Sequence, residues 1–154
     1  MNDSQQTLVT LLEEKAFVHG DKPLFTFVSA KTDATQVVTY QEMFKSATLI
    51  AKKLTTLTQH QDRIILLLPP GIELMTAFFG CVFAGNIAIL HYPPTSQKLT
   101  NKLYKIAHNA GSKIIISEQS IIEKMQFDQE SASWLNEFSF QWLEYTSFFS
   151  EPAE

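Results

Sequence analysis

Reactive side chains are sparse between Leu66 and Pro94, the most apolar stretch of the chain, where Glu73 is the single formal charge and Cys81 and His91 are the other titratable candidates. Glu73 follows Pro69-Pro70-Gly71 and falls in the first turn of an expected helix, where a carboxylate complements the helix dipole. No second titratable residue lies near it in sequence, so acid–base work has no partner there. Cys81 has no adjacent base and an apolar setting, which points to inert burial rather than a nucleophile. His91 stands before Tyr92-Pro93-Pro94 at the expected end of a strand, a position open both to ligand contact and to a structural histidine. His19, His60 and His108 share no ligand spacing with Cys81 and give no zinc signature. Lys98, Lys102 and Lys105 line one side of a helix and read as a solvated face. Neither a dinucleotide-binding GxGxxG nor a Walker phosphate loop is present.

These residues take their interest from the elements around them. Arg63 to Leu68, RIILLL, is a continuous apolar run too short for a helix and suited to a strand covered on both faces. A helix is expected from about Ile72 to Ala84, a strand over NIAIL, a helix from Lys98 to Ala110 closed by Gly111, and a strand over KIIIS from Lys113. Three strands joined by two helical crossovers make a parallel sheet. Open α/β sheets bind ligands beyond the carboxyl ends of their strands. Pro69, Pro70, Gly71, His91 and Tyr92 are therefore the candidates for lining a crevice, and no catalytic, cofactor-binding or metal-binding residue is assigned.

Before this layer, Ser4 to Val18 reads as an amphipathic helix with Leu8, Leu11, Leu12 and Ala16 on one stripe and Gly20 as its stop. LFTFV (24–28) and QVVTY (36–40) read as an antiparallel hairpin. Thr39 and Glu42 form the reciprocal capping box of a second helix, whose apolar face runs through Met43, Ala47, Ile50, Ala51, Leu54 and Leu57. After it, Ser117 is placed as the cap of a short helix through Met125. Phe138, Phe140 and Trp142 alternate as in a strand, and the end reads as frayed. The fold class is α/β: an N-terminal helix and antiparallel hairpin over 1–62, then a parallel β-α-β-α-β layer over 63–117, then a less regular segment over 118–154. The proline turn 69–71 is assigned the role of pre-setting the first helical turn.

The length suits one domain. A net charge of -4 with scattered lysines excludes a basic groove for nucleic acid. The longest apolar run, Leu74 to Gly85, is about half of the roughly 20 residues of a spanning helix, so no membrane span is expected. One cysteine and no basic-then-apolar leader fit a cytoplasmic setting. The helix over 72–84 places Thr76, Ala77, Gly80, Cys81 and Ala84 on one side and Met75, Phe78, Phe79, Val82 and Phe83 on the other. Such a helix is normally buried all round. Phe78, Phe79, Val82 and Phe83, with Phe138, Phe140, Trp142, Phe148 and Phe149, are expected to leave apolar surface open to self-association or to further chain.

Val38-Thr39-Tyr40-Gln41-Glu42-Met43, Leu68-Pro69-Pro70-Gly71-Ile72-Glu73, Ala77-Phe78-Phe79-Gly80-Cys81 with Ala84-Gly85, and Tyr92-Pro93-Pro94 together resemble the amino-terminal part of adenylate-forming enzymes, most closely the fatty acyl-AMP ligases. Departures occur at Asn86, where that branch usually has alanine, and at Leu90-His91, where a Pro-Ala pair is typical. The resemblance runs from about Thr7 to at least Ser117. It implies the first part of an adenylate-forming N-terminal domain, in an enzyme that activates a fatty acid with ATP and Mg²⁺ and passes the acyl group to an acyl carrier protein or a polyketide or peptide synthase. It also implies that the phosphate loop, the adenine and ribose contacts and the carboxyl-terminal lysine lie outside these 154 residues, so that the chain alone is inactive and holds no cofactor. Fragments of an acyl-CoA synthetase or a peptide-synthetase adenylation domain, and a freestanding interaction or lipid-binding module, remain the alternatives.

Overall fold

A computed structural model describes residues 6–29, 32–131 and 139–150. Helix α1 (Leu8–Val18) opens on a capping box in which Thr7 Oγ1 accepts from the Thr10 amide at 3.1 Å and Thr10 Oγ1 accepts from the Thr7 amide at 2.9 Å. It thus begins later than expected; Ser4 lies outside the described residues, and of the expected stripe only Leu12 and Ala16 are buried, Leu8 being exposed. Strands β1 (Pro23–Val28) and β2 (Thr35–Thr39) pair antiparallel. Thr39 then caps α2 (Tyr40–Leu57) as its sequence requires. The Thr39 amide donates to Glu42 Oε2 at 2.8 Å, and the Glu42 amide donates to Thr39 Oγ1 at 3.2 Å. Those hydrogen bonds to the ionised form hold the Glu42 carboxyl below its ordinary pKa.

The second half alternates strand and helix: β3 (Arg63–Leu67), α3 (Ile72–Phe83), β4 (Ile87–Leu90), α4 (Gln97–Ala110), β5 (Ile114–Ser117), α5 (Gln119–Ser131) and β6 (Gln141–Glu144). The sheet is parallel throughout, in the order β4-β3-β5-β6. Alternation along the strands sends Ile64, Leu66, Ile114, Ile116 and Leu143 to a core shared with Ile50 and Leu54 of α2 and Ala77 and Cys81 of α3. Ile65, Leu67 and Ile115 pack on the opposite face with Leu103, Tyr104 and Ala107 of α4 and Met125 of α5. A third core, around Leu12, Val38, Met43, Ala47 and Phe79, joins α1, the hairpin, α2 and α3.

Three expectations are corrected here. Ser117 is the last residue of β5 and not a helix cap; its hydroxyl is already committed, donating to Leu67 O at 2.6 Å, and α5 runs on to Ser131. The last strand is Gln141–Glu144, later than the FSFQW register; Phe138 lies outside the described residues. The chain beyond it is ordered as a 3-10 turn, Tyr145–Phe148, whose Ser147 carbonyl and hydroxyl accept from Lys53 Nζ at 3.1 and 3.3 Å.

Helix α3 is covered all round, as an apolar helix should be, but by the chain's own elements: no residue from Ile72 to Phe83 is exposed. Phe83 meets Phe44 edge-on at 5.7 Å, and Phe79 and Phe148 are buried. Of the expected apolar residues Phe149 is exposed, and the larger open apolar surface lies elsewhere, with Phe17 92% and Phe127 73% exposed. On the small-residue side α3 touches α2 so closely that a Cβ at Gly80 would lie 2.4 Å from Ile50 Cγ2. Gly85, at φ +75°, turns the chain beneath the His60 ring. Asn86, the departure noted in sequence, is buried. It donates from Nδ2 to Gln59 O at 2.9 Å and accepts from the Thr58 hydroxyl at 3.1 Å, tying the ends of α2 and α3 together.

Gly80→Leu is expected to lower stability by about 1–3 kcal/mol or more through overpacking, and to cost more than Cys81→Ser. Urea-unfolding midpoints check the order. Trimming the facing residue in Gly80→Ala/Ile50→Ala should recover part of the loss from Gly80→Ala; two losses that simply add would show that the contact is not the cause.

Candidate functional site

The parallel register brings the carboxyl ends of all four strands to one edge. Leu66 pairs with Leu90, Leu67 with Ser117, and Ser117 with Glu144, so the segments after Leu68, Leu90, Ser117 and Glu144 emerge side by side. Helices α3, α4 and α5 each begin at this edge, because each follows a strand. Of the five candidates, Pro69, Pro70 and Gly71 leave β3, and His91 and Tyr92 leave the neighbouring β4. Neighbouring strands thus carry both candidate segments to the same edge.

The local geometry defines what each can do. Gly71 is the residue before α3, in extended conformation, and Pro69 and Pro70 precede it. The prolines therefore stand outside the helix, correcting the expectation that one pre-sets its first turn. A Cβ at Gly71 would come within 3.0 Å of Glu73 Oε2, so the carboxylate folds back over the turn. The His91 amide extends the ladder by donating to Leu66 O at 3.1 Å. Its Nδ1 lies 2.7 Å from the Tyr92 carbonyl, which can only accept, so the proton sits on Nδ1. Tyr92 is 68% exposed.

Sequence reading missed the contribution of β6. Tyr145 follows that strand, half-buried, beside Thr76 of α3 and near Glu73. Burial pushes its phenol pKa up, the Thr76 side chain works against that, and the Glu73 charge adds to it. Glu144 beside it accepts from the Thr146 hydroxyl at 2.6 Å and the Thr146 amide at 3.2 Å. Placing the strand two residues early hid both. The signal available was Glu144 followed two positions later by Thr146, a pattern able to cap a turn.

Around α3 and β6 the edge is acidic and largely self-satisfied, although Lys98 stands in the first turn of α4 at the same edge. A triphosphate needs successive backbone N–H groups or clustered cations, whereas Pro69 and Pro70 have no N–H and Glu73 and Glu144 repel phosphate. No group of three or more His, Cys, Asp or Glu among the described residues could hold a metal ion. The residues present do not fit ATP with Mg²⁺. Cys81 is buried in the α2–α3 core, and burial pushes its thiol up to about 12, so it is not a nucleophile at neutral pH. A cavity of about 470 Å³ lies at the opposite, amino end of the sheet, among Leu57, Gln59, Asp62, Arg63, Lys113 and Gln141, and none of the five candidates lines it.

Residues 12–144 match the family model described as AMP-binding enzyme. The chain belongs to the AMP-binding enzyme family. Within it, the chain is 27% identical to a fatty acyl-adenylate ligase of Legionella pneumophila solved with acyl adenylate and pyrophosphate; the superposition covers 94% of this chain and 24% of that one, with a TM-score of 0.80. It is 28% identical over 133 residues to the medium-chain fatty acid acyl-carrier-protein ligase JamA of Moorena producens, covering 84% of this chain and 22% of the relative. It is also 28% identical over 143 residues to Disco-interacting protein 2 homolog A of Mus musculus, covering 86% and 9%. The chain thus spans less than a quarter of the length of these curated relatives. The fatty acyl-AMP ligase resemblance drawn from the motifs is borne out, and the α/β architecture of this chain is that of adenylate-forming N-terminal domains.

Two measurements check the site. Tyr145 should ionise above the ordinary phenol range in a spectrophotometric titration, and Glu73→Gln should move it earlier; the stability linked to it is complete below the free phenol pKa and lost as pH rises through the raised value. Cys81 should resist thiol reagents at neutral pH in the folded chain and react once the chain is unfolded in urea; fast reaction in the folded chain would mean the α2–α3 core opens.

Proposed function

We propose that this chain is an incomplete N-terminal segment of a fatty acyl-AMP ligase, over residues 1–154, whose complete form activates a fatty acid with ATP and Mg²⁺ to the acyl-adenylate and passes the acyl group to a carrier protein. The observation that carries this reading is the joint match in fold and sequence over 94% of the chain to a ligase solved with acyl adenylate and pyrophosphate. The carrier step is supported by the acyl-carrier-protein ligase among the relatives. In this reading Pro69–Gly71, His91 and Tyr92 line one wall of a crevice, and the nucleotide contacts come from residues beyond those in hand, because the edge as it stands does not fit a triphosphate. The remainder of the polypeptide, or a second copy, covers the open apolar groups such as Phe17 and Phe127. The lone buried Cys81 fits a cytoplasmic setting, and no helix among the described residues is long and apolar enough to cross a membrane.

A second reading, a non-catalytic interaction module, is favoured by the Disco-interacting protein 2 relatives, which align at 27–36% identity against 28% for the ligase JamA. One experiment separates the two. The chain alone is expected to give no fatty-acid-dependent ATP–pyrophosphate exchange. The L. pneumophila ligase with its matching segment replaced by residues 12–144 should retain exchange within about tenfold. A folded but inactive chimera would favour the module.

A further inference from the structure

Helix α4 presents a face that the sheet-edge site does not use. Lys98, Lys102 and Lys105 are all exposed and lie at i, i+4 and i+7, so they share one side at axial spacings of about 6 and about 10.5 Å. With Leu99 and Asn101 they border a shallow groove of about 620 Å³, and Leu99 is itself exposed. The opposite side of the helix, Thr100, Leu103, Tyr104 and Ala107, is buried, which fixes the lysine face outward.

Three observations separate this face from an ordinary solvated one. Solvated helix faces usually mix signs at i, i+4, but no aspartate or glutamate occurs between Leu74 and Ser117, a span holding four lysines in a chain of net charge -4. Among the described residues none of the three ammonium groups has an ion-pair partner. Lys98 stands in the first turn of α4, which contains no acid, so a cation is held at the positive end of the helix dipole, and like charges at i, i+4 repel. Among the described residues the charge has no ion-pair partner, and it is placed where it costs stability.

We propose that the lysine face of α4 is a docking surface for an acidic helix of a protein partner. A helix laid along the groove carries glutamates or aspartates with the same two axial spacings, and the acid-free start of α4 favours negative charge beside it. A lipid surface fits less well, because interfacial helices bind by sinking an apolar face and that of α4 is already spent on the sheet. Three cations also neutralise too few phosphates to hold a nucleic acid tightly. The docking does not depend on the ligase chemistry.

The probe is a fluorescent amphipathic peptide with glutamates at i, i+4 and i+7, compared by anisotropy with an isomer of the same composition and scrambled spacing. The whole chain should bind the first in preference to the second. Lys98→Glu/Lys102→Glu/Lys105→Glu should weaken binding by at least about tenfold with an unchanged circular dichroism spectrum, whereas reversing Lys15, Lys22 and Lys45 should not. No binding, equal binding of both peptides, or indifference to the α4 reversal would overturn the proposal. So would tighter binding to phosphatidylserine vesicles or single-stranded DNA that depends on the same three lysines. If the triple variant misfolds, Lys98→Gln/Lys102→Gln/Lys105→Gln gives the same reading without reversed charge.

Discussion

Burial of β3 on both faces is the constraint from which the rest of the structure follows. Ile64, Ile65, Leu66 and Leu67 are wholly inaccessible and Leu68 nearly so, and each side chain of this size gains about 1.5–3 kcal/mol by leaving water. A strand with no polar face needs a layer on each side. Helices α2 and α3 supply one, α4 and α5 the other, and parallel neighbours need such crossovers anyway. Covering both faces pushes every strand-to-helix junction to the same edge, so the candidate site is a by-product of how the core is closed.

The cost of that arrangement is paid between helices. To reach the same face of the sheet, α2 and α3 must approach until Gly80 has room for no side chain against Ile50. The loops at their far ends must be held too. There Asn86 takes the place of the alanine common in fatty acyl-AMP ligases and makes two hydrogen bonds that an alanine could not. The departure leaves the fold intact because its polar atoms are satisfied inside it.

Electrostatically two regions of the α/β layer differ in kind. At the carboxyl edge Glu73, Glu144 and Tyr145 gather around hydrogen bonds internal to the chain. Along α4 the charge is positive and has no ion-pair partner among the described residues. Placing acids and bases in separate regions leaves the first without a phosphate cradle and the second open to an acidic surface.

Much of the fold was legible in the sequence because its determinants are local. The Thr39–Glu42 box, the doubly buried RIILLL strand, the all-apolar helix with its small-residue side and the left-handed Gly111 closing α4 are decided by backbone hydrogen bonding and side-chain periodicity over a few residues. The motifs that carry the family resemblance are of this kind. The positions of Pro69–Gly71 and His91–Tyr92 at strand ends followed from the same alternation. What only tertiary structure decided was the company each residue keeps. Lys53 bonds to Ser147 across 94 positions, Tyr145 reaches Thr76, and Ser117 spends its hydroxyl on Leu67 of the neighbouring strand rather than on a helix cap. Periodicity reports that a side chain is covered but carries no information about what covers it. That depends on strand order and on the depth at which helices pack, which are set by the whole chain at once.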